Sequence, residues 1–244
     1  MIELYHGDCF EIFADIEDGS IDLICADIPY GTTNCKWDSV LDLSRMWQEL
    51  YRVAKPNAAI ILFSAQPFTS ILVSSNLKHW KTEWIWEKPH ATGFLNAKKQ
   101  PLRAHENIQV FYRKQPTYNP QMTHGHARKT ATRGTPDTDV YGEAKKVVSY
   151  DSTSRYPRDV QKFSSDKQKQ SLHSTQKPVA LVRYMIETYS NPGEIILDFT
   201  MGSGTAGVAC QESGRRFIGI EKDSDIYQVA CDRLGYRNIA ASAA

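Results

Sequence analysis

The sequence reads as an α/β protein with a mostly parallel sheet covered by helices. Two observations give that reading. From residue 194 onward, strand and helix alternate: a buried strand over 194–199, a helix over 205–214, a strand over 217–221 and a helix over 225–234. That β-α-β-α order is how a parallel sheet acquires its helical cover. Further upstream, Ile21–Ala26 and Ala58–Phe63 are short apolar runs bounded by turn residues, the pattern of buried strands. A length of 244 residues suits one substantial domain, alone or with a smaller insertion.

In chain order, the strand over 21–26 delivers a turn at Asp27-Ile28-Pro29-Tyr30-Gly31. Leu43, Met46, Trp47, Leu50 and Val53 recur at helical spacing, and Pro56 is expected to stop that helix. After the strand over 58–63 come a helix over 68–77, a strand of alternating character over 80–87 and a further strand over 105–112. The pair Trp84 and Trp86 fits sheet packing. Residues 115–172 then change texture: Thr, Ser, Gln, Lys, Arg, Gly and Pro dominate, and no period is sustained. Tyr118, Tyr141, Tyr150, Tyr156 and Phe163 are more aromatics than a linker carries, so the segment reads as a small irregular insertion with a function. Val179, Leu181, Val182, Met185 and Ile186 restore helical order over 179–189. The organisation is therefore 1–114, an insertion over 115–172, and 173–244.

Composition excludes several classes. No apolar run approaches the roughly 18 residues that span a membrane, and no signal peptide is visible at Met1–His6. A reducing cytoplasm is the expected setting: Cys9, Cys25, Cys35, Cys210 and Cys231 include no CxxC pair, hence neither a disulfide framework nor a zinc site. The histidines have no metal spacing, so no metal is expected. The net charge of +1 conceals a division. Residues 97–183 hold 17 basic and 7 acidic side chains, and the remainder 12 basic and 21 acidic. One segment is thus suited to a polyanion.

Two strand ends carry chemistry. Asp198-Phe199-Thr200-Met201-Gly202-Ser203-Gly204-Thr205 is a strand end, a glycine turn and a helix start. Glycines allow a sharp turn and close approach to a ligand. The next strand ends at Glu221, placed as an acceptor for two ribose hydroxyls. The turn lacks the full phosphate-binding patterns, so phosphate is not its evident purpose. At the other strand end, Asp27 and the Ile28 carbonyl can accept the two hydrogens of an exocyclic amine. Pro29 stiffens that turn, and Tyr30 can stack on a base. If the two strands lie side by side, both functions share one crevice beyond their carboxyl ends.

These residues resemble the beta class of amino-group DNA methyltransferases. Asp27-Ile28-Pro29-Tyr30 is similar to the D-P-P-Y motif, Asp198 to Thr205 to the D-P-F-x-G-S-G-T motif, and His173-Ser174-Thr175-Gln176-Lys177-Pro178 to the H-P-T-Q-K-P loop. Leu4-Tyr5-His6-Gly7-Asp8-Cys9 resembles the strand and turn that precede D-P-P-Y. The resemblance implies a circularly permuted, Rossmann-like, mostly parallel sheet of seven strands with helices on both faces. It also implies S-adenosylmethionine as cofactor. Carried over by position, Asp27, Ile28, Pro29 and Tyr30 are catalytic. Glu221 with Lys222 serves the ribose, and Asp8 and Cys9 the adenine. Asp198, Phe199, Gly202, Ser203, Gly204 and Thr205 cradle the methionine part. His173, Ser174, Thr175, Gln176 and Lys177 cover it, and Lys177 is a candidate partner for its carboxylate. Asp27 itself borders the cofactor. Three positions depart from the pattern: Ile28 and Ser174 stand where prolines are usual, and Phe199-Thr200 replaces Pro-Phe.

The implied reaction is in-line methyl transfer to an amine of a flipped-out base, with Asp27 at the D-P-P-Y position favouring adenine N6 over cytosine N4. A cytosine-N4 enzyme and a non-catalytic DNA-binding relative are the alternatives. Carbon-5 methylation is excluded for want of a Pro-Cys nucleophile. Residues 115–172 fall where the family places target recognition. Arg128, Lys129, Lys145, Lys146, Arg155, Arg158 and Lys162 are candidates for phosphates and Arg133 for a base edge. Lys36-Trp37-Asp38 reads as a lid. Double-stranded DNA is the expected partner, and family members often form homodimers; no restriction partner can be read from the sequence. The charge division predicts affinity for duplex DNA that falls steeply with salt. An affinity that barely changed between low and high salt would contradict it.

Overall fold

The computed structural model describes residues 1–31, 40–133, 148–164 and 176–237. The elements in its first half are β1 (Ile2–His6), α1 (Cys9–Ile12), β2 (Ile21–Ala26), α2 (Leu43–Val53), β3 (Ala54–Ser64), α3 (Phe68–Ser75), β4 (Trp80–Thr92) and β5 (Arg103–Phe111). There follow β6 (Lys129–Arg133), β7 (Val148–Ser152), β8 (Val160–Lys162), α4 (Val179–Tyr189), β9 (Ile195–Asp198), α5 (Thr205–Ser213), β10 (Arg216–Glu221) and α6 (Ser224–Leu234). They form two compact units, Met1–Asn119 with Asp159–Ala244, and Pro120–Arg158.

The larger unit is built on one sheet in the order β1-β10-β9-β2-β3-β5-β4-β8. The first five strands run parallel, and β5 is antiparallel to both β3 and β4. The permutation shows at one edge, where N-terminal β1 pairs with β10, Ile2 opposite Phe217 and His6 opposite Glu221. Seven strands match the expected sheet. The eighth, β8, adds three residues parallel to β4; so short a run has no period to reveal it.

Alternation along the strands divides the core between two faces. Leu23, Cys25, Ile61 and Phe63 join Leu181, Met185, Ile186, Ala209 and Leu234 from α4, α5 and α6. Ile24, Ala26, Ile60 and Leu62 join Met46, Leu50, Phe68 and Leu72 from α2 and α3. Trp84 and Trp86 are buried on the first face, their indole N–H groups donating to the Tyr189 hydroxyl and the Phe163 carbonyl.

Pro56 acts differently from its expected role. Helix α2 ends at Val53 and the chain passes directly into β3, which contains Pro56. The β2–β3 register shifts between Ile21–Ala54 and Leu23–Ala59. A proline has no N–H to give a ladder, so an irregularity is where a strand can hold one.

The smaller unit contains the antiparallel pair β6–β7, Lys129 opposite Ser152. Arg155 knits it together, donating to the carbonyls of Ala127, Ser152 and Ser154 at 2.6–3.0 Å. No helix among the described residues is long and apolar enough to cross a membrane.

Candidate active site

Strands β2 and β9 lie side by side, with Leu23 opposite Ile196 and Ile24 opposite Leu197. Asp27 follows the end of β2 and Asp198 is the last residue of β9. Both face one cleft of about 1150 Å³ beyond the carboxyl ends of the strands, where an open α/β sheet binds ligands. That exceeds the roughly 300–1,000 Å³ of a typical small-molecule site, so there is room for more than one ligand.

At the β2 end of the cleft, both Asp27 carboxylate oxygens are engaged. Oδ1 accepts from the Tyr30 hydroxyl at 2.7 Å and Oδ2 from Lys177 Nζ at 2.5 Å. The Tyr30 ring lies nearly parallel to Phe68, centroids 5.5 Å apart. Ile28, the departure from D-P-P-Y, turns its side chain into the α2/α3 core and is buried. The cleft wall keeps the backbone at that position. Lys177 is buried and also lies 3.3 Å from Glu106, which in turn pairs with Lys88 on the neighbouring strand. A chain of alternating charge thus runs Lys88, Glu106, Lys177, Asp27. Burial alone would raise the Glu106 carboxyl; the Lys177 and Lys88 cations outweigh it and hold it below its ordinary range. Burial alone would lower the Lys177 ammonium, and Asp27 and Glu106 instead hold it above its ordinary value.

Sequence reasoning missed Glu106 and Lys88. The available signal was that Glu106 is the only acidic residue between Glu87 and Asp137. Lys177, assigned to a cofactor carboxylate, sits in this structure between the carboxylates of Asp27 and Glu106.

At the other end, Glu221 anchors the glycine turn. Its Oε2 accepts from Gly202 N at 2.9 Å and its Oε1 from Asp223 N at 2.8 Å. A carboxylate offers about four acceptor positions, so these two bonds fix its direction and leave others for the cleft. Gly202 and Gly204 have φ of +52° and +77°, conformations a side chain strains. At Gly204 an added Cβ would also press on Leu234 and Ala230. Arg233, not foreseen, braces the turn by donating to Ser203 O, Ser203 Oγ and Thr205 Oγ1.

Asp8 caps α1 through Phe10 N and accepts from Lys222 Nζ at 2.9 Å. That bond to Lys222 leads the effects that hold its carboxyl below the usual value. Cys9 is buried, and burial pushes its thiol up to about 12. The Phe199 ring packs on Phe13 in the core, 5.7 Å between centroids. Thr200, standing in for the family's aromatic, joins the two motifs: its hydroxyl donates to the Asp27 carbonyl at 3.3 Å. Gln176 lines the cleft with a buried Oε1 that has no hydrogen-bond partner among the described residues. Asp198 is buried, and that burial, with Asp27 and Glu221 nearby, pushes its carboxyl well above its usual value against the Thr200 N–H that it accepts.

His173, Ser174, Thr175, Lys145, Lys146 and the expected lid at 36–38 lie outside the described residues. Arg128 forms a two-bond pair with exposed Asp151. Lys129 and Arg133 are the end residues of β6, and Arg158 closes the smaller unit. Lys162 is on β8 in the larger unit, 2.9 Å from Glu87.

Comparisons with known proteins agree with this geometry. The N6_N4_Mtase family model, described as DNA methylase, matches residues 21–232. The chain is 30% identical to the Type II methyltransferase M.HpaI of Haemophilus parainfluenzae, over 90% of this chain and 70% of that protein. It is 28% identical to the DNA adenine methyltransferase YhdJ of Escherichia coli K12, over 95% and 82%. The crystal structure of an M1.HpyAVI–SAM complex superposes with a TM-score of 0.67 at 25% identity, covering 96% of this chain and 99% of that one. The cytosine-N4-specific PvuII methyltransferase shares the fold, with a TM-score of 0.70 at 13% identity, covering 95% and 86%. With the two motif strands adjacent and their carboxylates in one cleft, the chain belongs to the N6/N4 family of DNA methylases.

Proposed function

We propose that this DNA amino-methyltransferase acts on the N6 amine of adenine extruded from duplex DNA, with Asp27 and Tyr30 as its principal catalytic residues. The observation that carries the reading is Asp27 at the mouth of β2, buttressed on both oxygens and directed into a cleft shared with the glycine turn. Asp at that motif position and the adenine-specific name of the E. coli relative support adenine. A bacterial cytoplasm is the setting we infer, from the bacterial relatives.

The residues of the cleft fit S-adenosylmethionine. Glu221 retains acceptor positions for ribose hydroxyls, with Asp8 and Lys222 beside it. Gly202 and Gly204 keep the turn free of side chains. Among the described residues the buried Gln176 Oε1 has no donor, and burial holds the Asp198 carboxyl well above its usual value, a shift that a nearby cation would oppose. Bound there, S-adenosylmethionine supplies an electrophilic methyl group on a sulfonium.

The chain supplies the rest. A ring amine is a weak nucleophile because its lone pair is delocalised. Asp27 and the Ile28 carbonyl accept its two N–H bonds, localise the lone pair and stabilise positive charge as it develops on nitrogen. Lys177 and Tyr30 fix the direction of the Asp27 carboxylate, which converts a search for geometry into a prepaid arrangement. Tyr30, backed by Phe68, is the platform for the extruded base.

Two measurements test this. Methylation-sensitive sequencing of DNA from cells expressing the protein should reveal N6-methyladenine at a fixed motif; N4-methylcytosine would overturn the base assignment. Cofactor binding should also release a proton, because a cation beside Asp198 favours its ionised form. Affinity for S-adenosylmethionine should therefore rise as pH rises through the raised Asp198 value, and calorimetry in buffers of different ionisation heat should detect the proton. Asp198→Asn should bind more weakly with no such pH dependence; an unchanged slope in that variant would remove Asp198 from the cofactor site.

A further inference from the structure

The β4–β5 hairpin carries a feature that methyl transfer does not use. Between Lys88 and His105 the sequence holds Lys88, Lys98, Lys99 and Arg103, and no aspartate or glutamate. Residues 89–105 are exposed throughout. At the tip, Gly93 (φ +91°) turns the chain into a 3-10 turn over Phe94–Asn96. The Asn96 carbonyl closes it by accepting from Lys99 N and Gln100 N at 2.8 and 3.0 Å. This ordered turn presents Phe94 and Leu95 at 81% and 99% exposure. Of the nine phenylalanines, the other eight are buried or half-buried. Adjacent large apolar side chains fully in water are the informative kind of exposure.

The position of the tip matters as much as its chemistry. Lys88, Pro89, His90 and Thr92, on the first arm of the hairpin, line the cleft with Asp27 and Tyr30. At about 3.3 Å per residue, Phe94 stands roughly 7 Å along the chain from Thr92. An apolar point flanked by cations, at the mouth of a cleft that must receive one base, is complementary to a particular surface. Stacked duplex DNA is anionic outside and apolar between its base steps.

We propose that Phe94 and Leu95 form a wedge that enters the duplex and takes the place of the extruded base. Lys98, Lys99 and Arg103 hold the flanking phosphates. Filling the gap offsets the unstacking that extrusion costs. The inference rests on the DNA-methylating reading above, and its test separates the two.

Wild-type protein with S-adenosylmethionine and unmethylated plasmid DNA first reports, by sequencing, which sites are modified. Modification of none would overturn the underlying reading. Two duplexes carrying the modified site are then compared, one fully paired and one with an abasic position opposite the target base, which lowers the cost of extrusion. F94S/L95S should keep wild-type cofactor affinity, lose about tenfold in turnover on the paired duplex and recover most of that on the abasic one. Equal loss on both duplexes, or no loss, overturns the wedge. A change in sedimentation mass accompanied by equal losses would instead make the tip a contact between copies of the chain, and would overturn it too.

Discussion

Asp27→Ala is expected to abolish methyl transfer while leaving S-adenosylmethionine binding largely intact. Alanine deletes the acceptor whose partial charge meets the developing positive charge on nitrogen, and loss of one such preorganised group costs roughly a hundred- to a thousandfold in turnover. The variant should still fold, because Lys177 keeps Glu106 as a buried counterion and Tyr30 keeps its stacking on Phe68. Asp27→Asn keeps the shape and one acceptor and removes the charge, which makes it the stricter control. Tritiated-methyl transfer under saturating cofactor, with affinity measured separately by calorimetry, checks both halves. Near-wild-type turnover in either variant would remove Asp27 from the chemistry.

Lys177→Met is expected to have the largest effect on the fold. It leaves Asp27 and Glu106 facing each other without the ammonium between them, and breaking a buried charge set in this way costs about 3–5 kcal/mol. The loss should depend on pH in a defined direction. Glu106 is held below its ordinary value of 4.5, so the stability it contributes is present above that value and is lost as pH falls through the lowered one. In the variant the main cation that lowers it is gone while burial remains, so its carboxyl moves up. The gap in stability between wild type and variant should be widest at neutral pH and should narrow as pH falls from the variant's higher Glu106 value to the lowered value of the wild type. Denaturant unfolding at several pH values measures it, and a gap that stayed constant would mean that Lys177 acts through packing alone.

The fold and the two motif strands were legible because each is written locally. Helix α4 shows over 179–189 as an apolar stripe, and β9–α5–β10–α6 shows as alternation of runs and glycines. Asp27 and Asp198 were legible as strand ends sharing one crevice because a turn after a buried strand announces itself in a few residues. The Lys88–Glu106–Lys177–Asp27 chain was not. Its members come from β4, β5, the approach to α4 and the end of β2, and only the assembled sheet brings them within reach. Arg233 was hidden for the same reason: an arginine in the last turn of a helix reads as a solvated end, yet it faces the glycine turn. Pro56 is the converse case. Its local rule, that proline ends helices, was satisfied by a helix that had already ended.

The pairing of β1 with β10 and of β2 with β9 also governs how the chain must come together. A ribosome delivers β2 early and β9 late, with the whole Pro120–Arg158 unit made in between. Until β9 emerges, one edge of β2 has no neighbour, and its apolar face waits without α4 and α5. Contacts between such distant parts of a sequence form slowly, and open strand edges attract other chains meanwhile. The same adjacency that puts Asp27 and Asp198 in one cleft therefore leaves a chain that stops short of β9 with an unpaired β2 edge and without the second carboxylate of that cleft.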